Sequence, residues 1–175
     1  MFESSTASTA YWPVTMDWAG IYERHAGELA SYLTRYVGDR EVATELMQET
    51  FVRGLRADQT IREPRAVRSW LFQTATNLAL NERRRRAILR FIPFSGLERS
   101  PQEAFDPGAA QVSAALRSIS ADQAAALLLR YHSGFSTAEI AGMLGLSQET
   151  VKSRITRGRQ NFIAAHRRLE RGLAR

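Results

Sequence analysis

Residues 136–162 read STAEIAGMLGLSQETVKSRITRGRQNF, and this stretch decides the fold. Ser136 is a good N-cap, and Glu139 three residues later completes a capping box. Ile140, Ala141 and Leu144 then share one apolar helical face. Gly145 stands where that helix must stop, a position that favours positive φ. Leu146 plugs the corner, and Ser147 caps a second helix. Val151, Ile155 and Phe162 mark the inner side of this second helix. Gln148, Lys152, Ser153, Thr156, Arg157 and Gln160 lie on its outer side. The pattern is a helix-turn-helix whose second helix pairs a buried face with donors for phosphates and base edges. An ordinary helical hairpin with a solvated basic face has a similar pattern, but two caps, a turn glycine and a polar-basic outer face together favour DNA.

The charge distribution points the same way. The chain of 175 residues carries a formal charge of +6, with a pI near 10.4. Residues 1–57 are net −3, 58–100 net +5, 101–147 net −2 and 148–175 net +6. Two basic blocks alternate with two acidic ones, as in a protein that touches one polyanion at two separated places. Lys152 is the single lysine; every other basic residue is arginine, which suits forked contacts to phosphate and guanine. With no cysteine, there is neither a disulfide nor a thiolate ligand. His25, His132 and His166 are scattered, so neither a metal nor a cofactor is expected. No catalytic constellation or phosphate-binding glycine loop is visible, which argues against an enzyme. The start, MFESSTASTA, lacks the pattern of a secretory signal, and no apolar run is long enough to span a bilayer. A cytoplasmic protein without membrane insertion is expected.

Residues 1–16 are expected to be a disordered tail. Trp18, Ile21, Tyr22, Leu29, Tyr32, Leu33 and Tyr36 then recur at helical spacing up to Gly38. Asp39 caps a second helix with Val42, Leu46, Met47, Phe51 and Leu55 inward and Glu41, Glu45, Gln48 and Glu49 outward. Pro64 opens a third helix, in which Val67, Trp70, Leu71, Thr74, Ala75, Leu78 and Ala79 repeat over several turns before the run Arg83–Arg86. Residues 88–110 hold three prolines and two glycines and read as a linker, so the two halves are expected to move independently in the free protein. Helices resume near Ala109, with Val112, Leu116 and Ile119. Ser120 caps another, with Ala124, Leu127, Leu128 and Tyr131 inward, which ends at Gly134. No β-alternation appears. The fold class is all-α: two small helical domains, 17–87 and 111–175, joined by an irregular linker, the second with the helix-turn-helix.

An acidic-faced helix, an aromatic helix ending in arginines, a broken linker and a helix-turn-helix, in that order, resemble the bacterial RNA polymerase sigma factors of the extracytoplasmic-function group in the sigma-70 family. Three stretches carry the likeness: GDREVATELMQETFVRGLR (38–56), REPRAVRSWLFQTATNLALNERRRR (62–86) and SADQAAALLLRYHSGFSTAEIAGMLGLSQETVKSRITRGR (120–159). The resemblance implies a transcription initiation factor that binds core polymerase and reads the −35 and −10 promoter elements. In that role Glu45, Leu46, Gln48, Glu49 and Phe51 would dock on the clamp helices of the largest polymerase subunit, with the flap as a second contact. Thr60, Arg62, Arg65 and Asn77 would meet the opened −10 strand and its flipped base, and Arg83, Arg84, Arg85 and Arg86 its phosphates. Gln148, Lys152, Ser153, Thr156, Arg157 and Arg159 would meet the −35 duplex. An anti-sigma factor is a further partner that the resemblance admits. The chain departs from the family where Asp-Ala-Glu-Asp is frequent and Val42-Ala43-Thr44-Glu45 stands here, two negative charges fewer. A stand-alone helix-turn-helix regulator that binds duplex DNA without polymerase is the alternative reading, and an adaptor using only its helical surfaces is a third.

Overall fold

The computed structural model describes residues 16–57, 66–89 and 107–173, and among these every regular element is helical. Helix α1 runs Trp18–Val37, α2 Arg40–Arg56, α3 Val67–Leu89, α4 Pro107–Ser118, α5 Ala121–Leu127, α6 Thr137–Leu144 and α7 Gln148–Leu173. One turn of π-helix, Leu128–His132, follows α5. The starts are set by local chemistry. Asp17 accepts from the Gly20 amide, Asp39 from the Glu41 and Val42 amides, and Ser120 from the Gln123 amide. The turn between α1 and α2 needs Gly38, whose φ is +72°. A side chain there would also overlap the Arg117 guanidinium from α4.

Helices α1, α2 and α3 pack on each other around Leu29, Tyr32, Leu33, Tyr36, Met47, Phe51, Leu71 and Ala75, all buried. Phe72 and Thr76, outside the expected apolar stripe of α3, are completely buried too. The Tyr32 hydroxyl lies 2.8 Å from Thr76 Oγ1, which donates to the Phe72 carbonyl at 2.6 Å. That chain satisfies two hydroxyls in an otherwise apolar interior. Two expected core positions lie elsewhere. Leu55 is 56% exposed because Gly54 takes the inward place, where the Trp18 ring leaves no room for a side chain. Tyr131 is 65% exposed: the wider π-turn shifts the register, and Leu129 is buried in its stead. Tyr22 is also half-exposed, although its ring leans on Phe51 at 4.8 Å.

Helix α4 starts at Pro107, inside the span expected as linker, and packs on both α7 and α1. Helix α3 in turn meets α5 and α6. Buried residues of the two halves thus meet in one continuous cluster. The physical reason is the second apolar side of α3: Phe72 meets Tyr32 edge-on at 5.3 Å in its own half and Phe135 at 5.1 Å in the other.

Burial pushes the Tyr32 phenol above its ordinary range; it does the same to Tyr36, against the opposing pull of Arg83. A raised folded pKa means that the unfolded chain ionises first. Stability is complete below about pH 10 and is lost above it, by about 1.4 kcal/mol per pH unit for each phenol. Urea titrations above pH 10 are expected to show that slope, and Tyr36→Phe to reduce it by one phenol's share. An unchanged slope in Tyr36→Phe would mean that Tyr36 ionises equally in both states.

Candidate nucleic-acid interface

Helices α6 and α7 form the helix-turn-helix. The Ser136 hydroxyl accepts from the Glu139 amide at 3.2 Å, and the Glu139 carboxylate accepts from the Ser136 amide at 2.7 Å. Those bonds hold the Glu139 carboxyl below the usual carboxylate range. At the far end Gly145 adopts φ +64°, and the Leu146 amide bonds back to the Ala141 carbonyl at 2.9 Å. Ser147 then caps α7 through the Thr150 amide at 3.1 Å. Val151 and Ile140 are wholly buried between the helices. A helix turns 100° per residue, so this buried seam sends Gln148, Lys152, Thr156 and Arg157 to the exposed side, with Ser153 half-buried. Lys152 has Glu149 at 3.7 Å, but both are well exposed, and such a surface pair holds little. Arg159 is exposed on a different flank, beside Tyr131 and Ile163.

On α3, Asn77 and Arg84 are exposed on one face with Asn81 between them. They line a cleft of 290 Å³ whose opposite wall is Asp122, Ala125, Leu144, Leu146 and Arg154. The four arginines do not act alike. Arg83 donates to the Arg117 and Ile119 carbonyls at 3.3 and 3.0 Å and lies over the Tyr36 ring. Arg85 and Arg86 grip Glu82 at 2.9 and 2.7 Å, and Arg86 also reaches Asp39. Burial alone would raise the Glu82 carboxyl, but the bonds from Arg85 and Arg86 outweigh it and hold it low. Thr60, Arg62 and Arg65 lie outside the described residues.

Residues 21–88 match the family model for sigma-70 region 2, and residues 109–162 that for sigma-70 region 4. The chain is 32% identical over 142 residues to the ECF RNA polymerase sigma factor SigL of Mycobacterium tuberculosis, covering 77% of this chain and 80% of SigL. This chain belongs to the ECF RNA polymerase sigma factors. It is 34% identical to SigE of Mycolicibacterium smegmatis over 85% of its own length and 62% of SigE. Its fold matches the sigma factor RpoE of Bartonella quintana, solved in complex with the anti-sigma factor NepR, at a TM-score of 0.72 and 23% identity, over 85% of this chain and 96% of that one. CnrH, solved with the cytosolic domain of CnrY, matches at 0.62 and 25% identity over 84% and 85%. The chain is thus a promoter-specific transcription initiation factor of RNA polymerase.

In this sigma factor the outer face of α2 carries Glu45 and Gln48, both exposed, with Glu49 half-buried and paired to Arg53 at 2.7 Å. Leu46 is half-buried, and Phe51 belongs to the core, where it supports the helix rather than presenting surface. Val52 and Leu55 extend the exposed stripe with apolar surface; the i, i+4, i+7 spacing of Gln48, Val52 and Leu55 was the available signal. Asn81, four residues after Asn77, had the same kind of signal. A second groove, 490 Å³ and mainly apolar, runs between α4 and α7 past Leu116, Leu128, Tyr131, Phe162 and Ile163. No helix among the described residues is long and apolar enough to cross a membrane.

Proposed function

We propose that the sigma factor divides its work among three surfaces. The outer face of α7 reads the −35 duplex, with Arg157 and Lys152 as the base-edge donors and Gln148, Ser153 and Thr156 beside them. The Asn77–Arg84 face of α3 receives the opened −10 strand, where an amide can hydrogen-bond a base edge and a guanidinium can hold phosphate. The stripe Glu45, Gln48, Glu49 with Leu46 docks on the clamp of the largest polymerase subunit, and the apolar groove past Tyr131 takes the polymerase flap. What supports the reading most is the exposure of Lys152, Thr156 and Arg157 on a doubly capped helix-turn-helix. The protein acts in the cytoplasm and supplies binding energy, with no chemistry of its own. An anti-sigma factor is a further partner; the structural neighbour RpoE was solved in complex with the anti-sigma factor NepR.

Two variants test the division. Charge reversal of Glu45 and Glu49 together is expected to weaken core-polymerase binding in a pull-down roughly tenfold, with helicity unchanged, because clamp arginines would lose two carboxylates. Unchanged core affinity would remove α2 from the docking surface. Asn77→Ala is expected to blunt discrimination between −10 sequences while leaving duplex binding at −35 intact, since a methyl cannot replace the amide. Equal transcription from wild-type and altered −10 elements by both proteins would leave Asn77 with a structural role only.

A further inference from the structure

We infer that the groove between α4 and α7 is a binding site for a small free amphiphile with one negative charge, of the class of a medium-chain carboxylate, and that this ligand competes with the polymerase flap proposed for the same groove. The groove encloses 490 Å³, within the range of small-molecule sites. Its apolar wall is assembled from separate elements. Val112 and Leu116 stand on α4, Leu127 and Leu128 where α5 passes into the π-turn, and Phe162 and Ile163 on α7. Tyr131 and Ile163 are 65% and 37% exposed, so the groove keeps apolar surface in water. An alkyl chain laid along it removes that surface, which is favourable in proportion to the area covered.

The charged side chains on the wall are all basic. Arg35 enters from α1 and Arg159 from α7, and no carboxylate lines the groove. Neither guanidinium has an ion pair with a described residue. Arg35 donates to the Ser31 hydroxyl at 3.0 Å, and Arg159 is exposed. His132 adds a third polar group to the wall. Its Nε2 is buried without a hydrogen-bond partner. Burial, and then the nearby Arg35, lower its pKa against the pull of Glu28, so the ring is neutral at pH 7 and has one N–H to give. A carboxylate beside Arg35 offers acceptors to the guanidinium and to that ring in charge-assisted bonds, while Arg159 adds attraction from α7. A neutral or cationic amphiphile satisfies only the apolar wall. An acidic helix shares both chemistries, but a stable protein contact buries about 1,000 Å² or more, which a groove of this volume does not supply by itself. The competition rests on the flap reading proposed above; the ligand site does not.

Methyl NMR of the full-length protein reads the groove directly. Decanoate, kept below its micelle concentration, is expected to shift the methyls of Leu116, Leu128 and Ile163 and to leave those of Leu33 and Leu71, buried in the first three helices, in place. Decanol and decyltrimethylammonium have the same chain and are expected to bind roughly tenfold more weakly, as for one charge-assisted hydrogen bond lost. Arg35→Gln is expected to abolish the preference for decanoate over decanol, and Ile163→Glu, at an exposed position, to abolish binding of both. Phosphatidylglycerol vesicles are expected to cause no shift. Equal binding of the three ligands overturns the site, as do shifts spread over both halves, an unaltered preference in Arg35→Gln, or shifts with vesicles alone. Decanoate is then titrated into fluorescently labelled sigma factor with core polymerase. Core affinity is expected to fall several-fold for wild type and to hold for Arg35→Gln. Groove shifts without loss of core affinity overturn the competition and leave the ligand site standing. Ile163→Glu without decanoate tests the flap reading by itself: an unchanged core affinity there removes the groove from the polymerase contact.

Discussion

Phe72→Ala is expected to lower the unfolding free energy of the full chain by about 3–5 kcal/mol, the range for removing a buried phenyl ring and leaving a cavity. The ring is completely buried and has aromatic neighbours on two sides, Tyr32 from α1 and Phe135 from the second half, with the Arg68 guanidinium 5.2 Å from its centre. Neither half can close the gap alone, because Tyr32 is fixed on α1 and Phe135 is fixed, buried, in the turn before α6. Urea unfolding followed by circular dichroism measures the loss. The transition is also expected to broaden or divide, because the side chain that links the two halves has gone. A loss below about 1 kcal/mol with an unaltered single transition would mean that Phe72 is not part of a shared core.

The largest expected effect on function belongs to Arg157→Ala. The residue is exposed on α7, on the far side from the wholly buried Val151, in a position to offer two parallel hydrogen bonds to guanine. Its loss is expected to cost about 1–3 kcal/mol at the preferred −35 element and to flatten base preference there. Arg168, exposed three turns further along the same helix, is the contrast: its removal is expected to weaken all sequences alike and make the salt dependence shallower. Titration of −35 variants at two salt concentrations with each mutant holoenzyme separates the two. An even loss across all variants for Arg157→Ala would make Arg157 a phosphate contact.

What was legible in the sequence was local. Ser136 with Glu139, Gly145, Asp39 and Gly38 each act within a few residues, so their spacing alone reports the helix starts and stops. The α7 faces followed as well, because one buried seam at Val151 fixes every other position by rotation. What was illegible depends on packing from a distance. Phe72 and Thr76 sit nearly half a turn from the stripe at Val67 and Leu78, and a single-stripe reading cannot reveal that α3 is covered on two sides. Tyr131 and Leu129 exchanged places because a π-turn changes the register, which hydrophobic period does not encode. Arg68 and Arg83 were hidden for a chemical reason: a guanidinium serves a phosphate, a carbonyl or a ring face equally well, and a run of arginines at a helix end suggests nucleic acid first. The cleft around Asn77 likewise exists only once α5, α6 and α7 are set against α3.

The separation of −35 reading on α7 from −10 reading on α3 is tested most directly by run-off transcription from a promoter library randomised at both elements. Core polymerase is supplied in turn with wild type, Arg157→Ala and Asn77→Ala, and the transcribed promoters are sequenced. The expected result is that Arg157→Ala loses base preference at −35 alone and Asn77→Ala at −10 alone, while wild type keeps both. Loss of preference at both elements in either variant, or at the opposite element, would contradict the assignment of one helix to each.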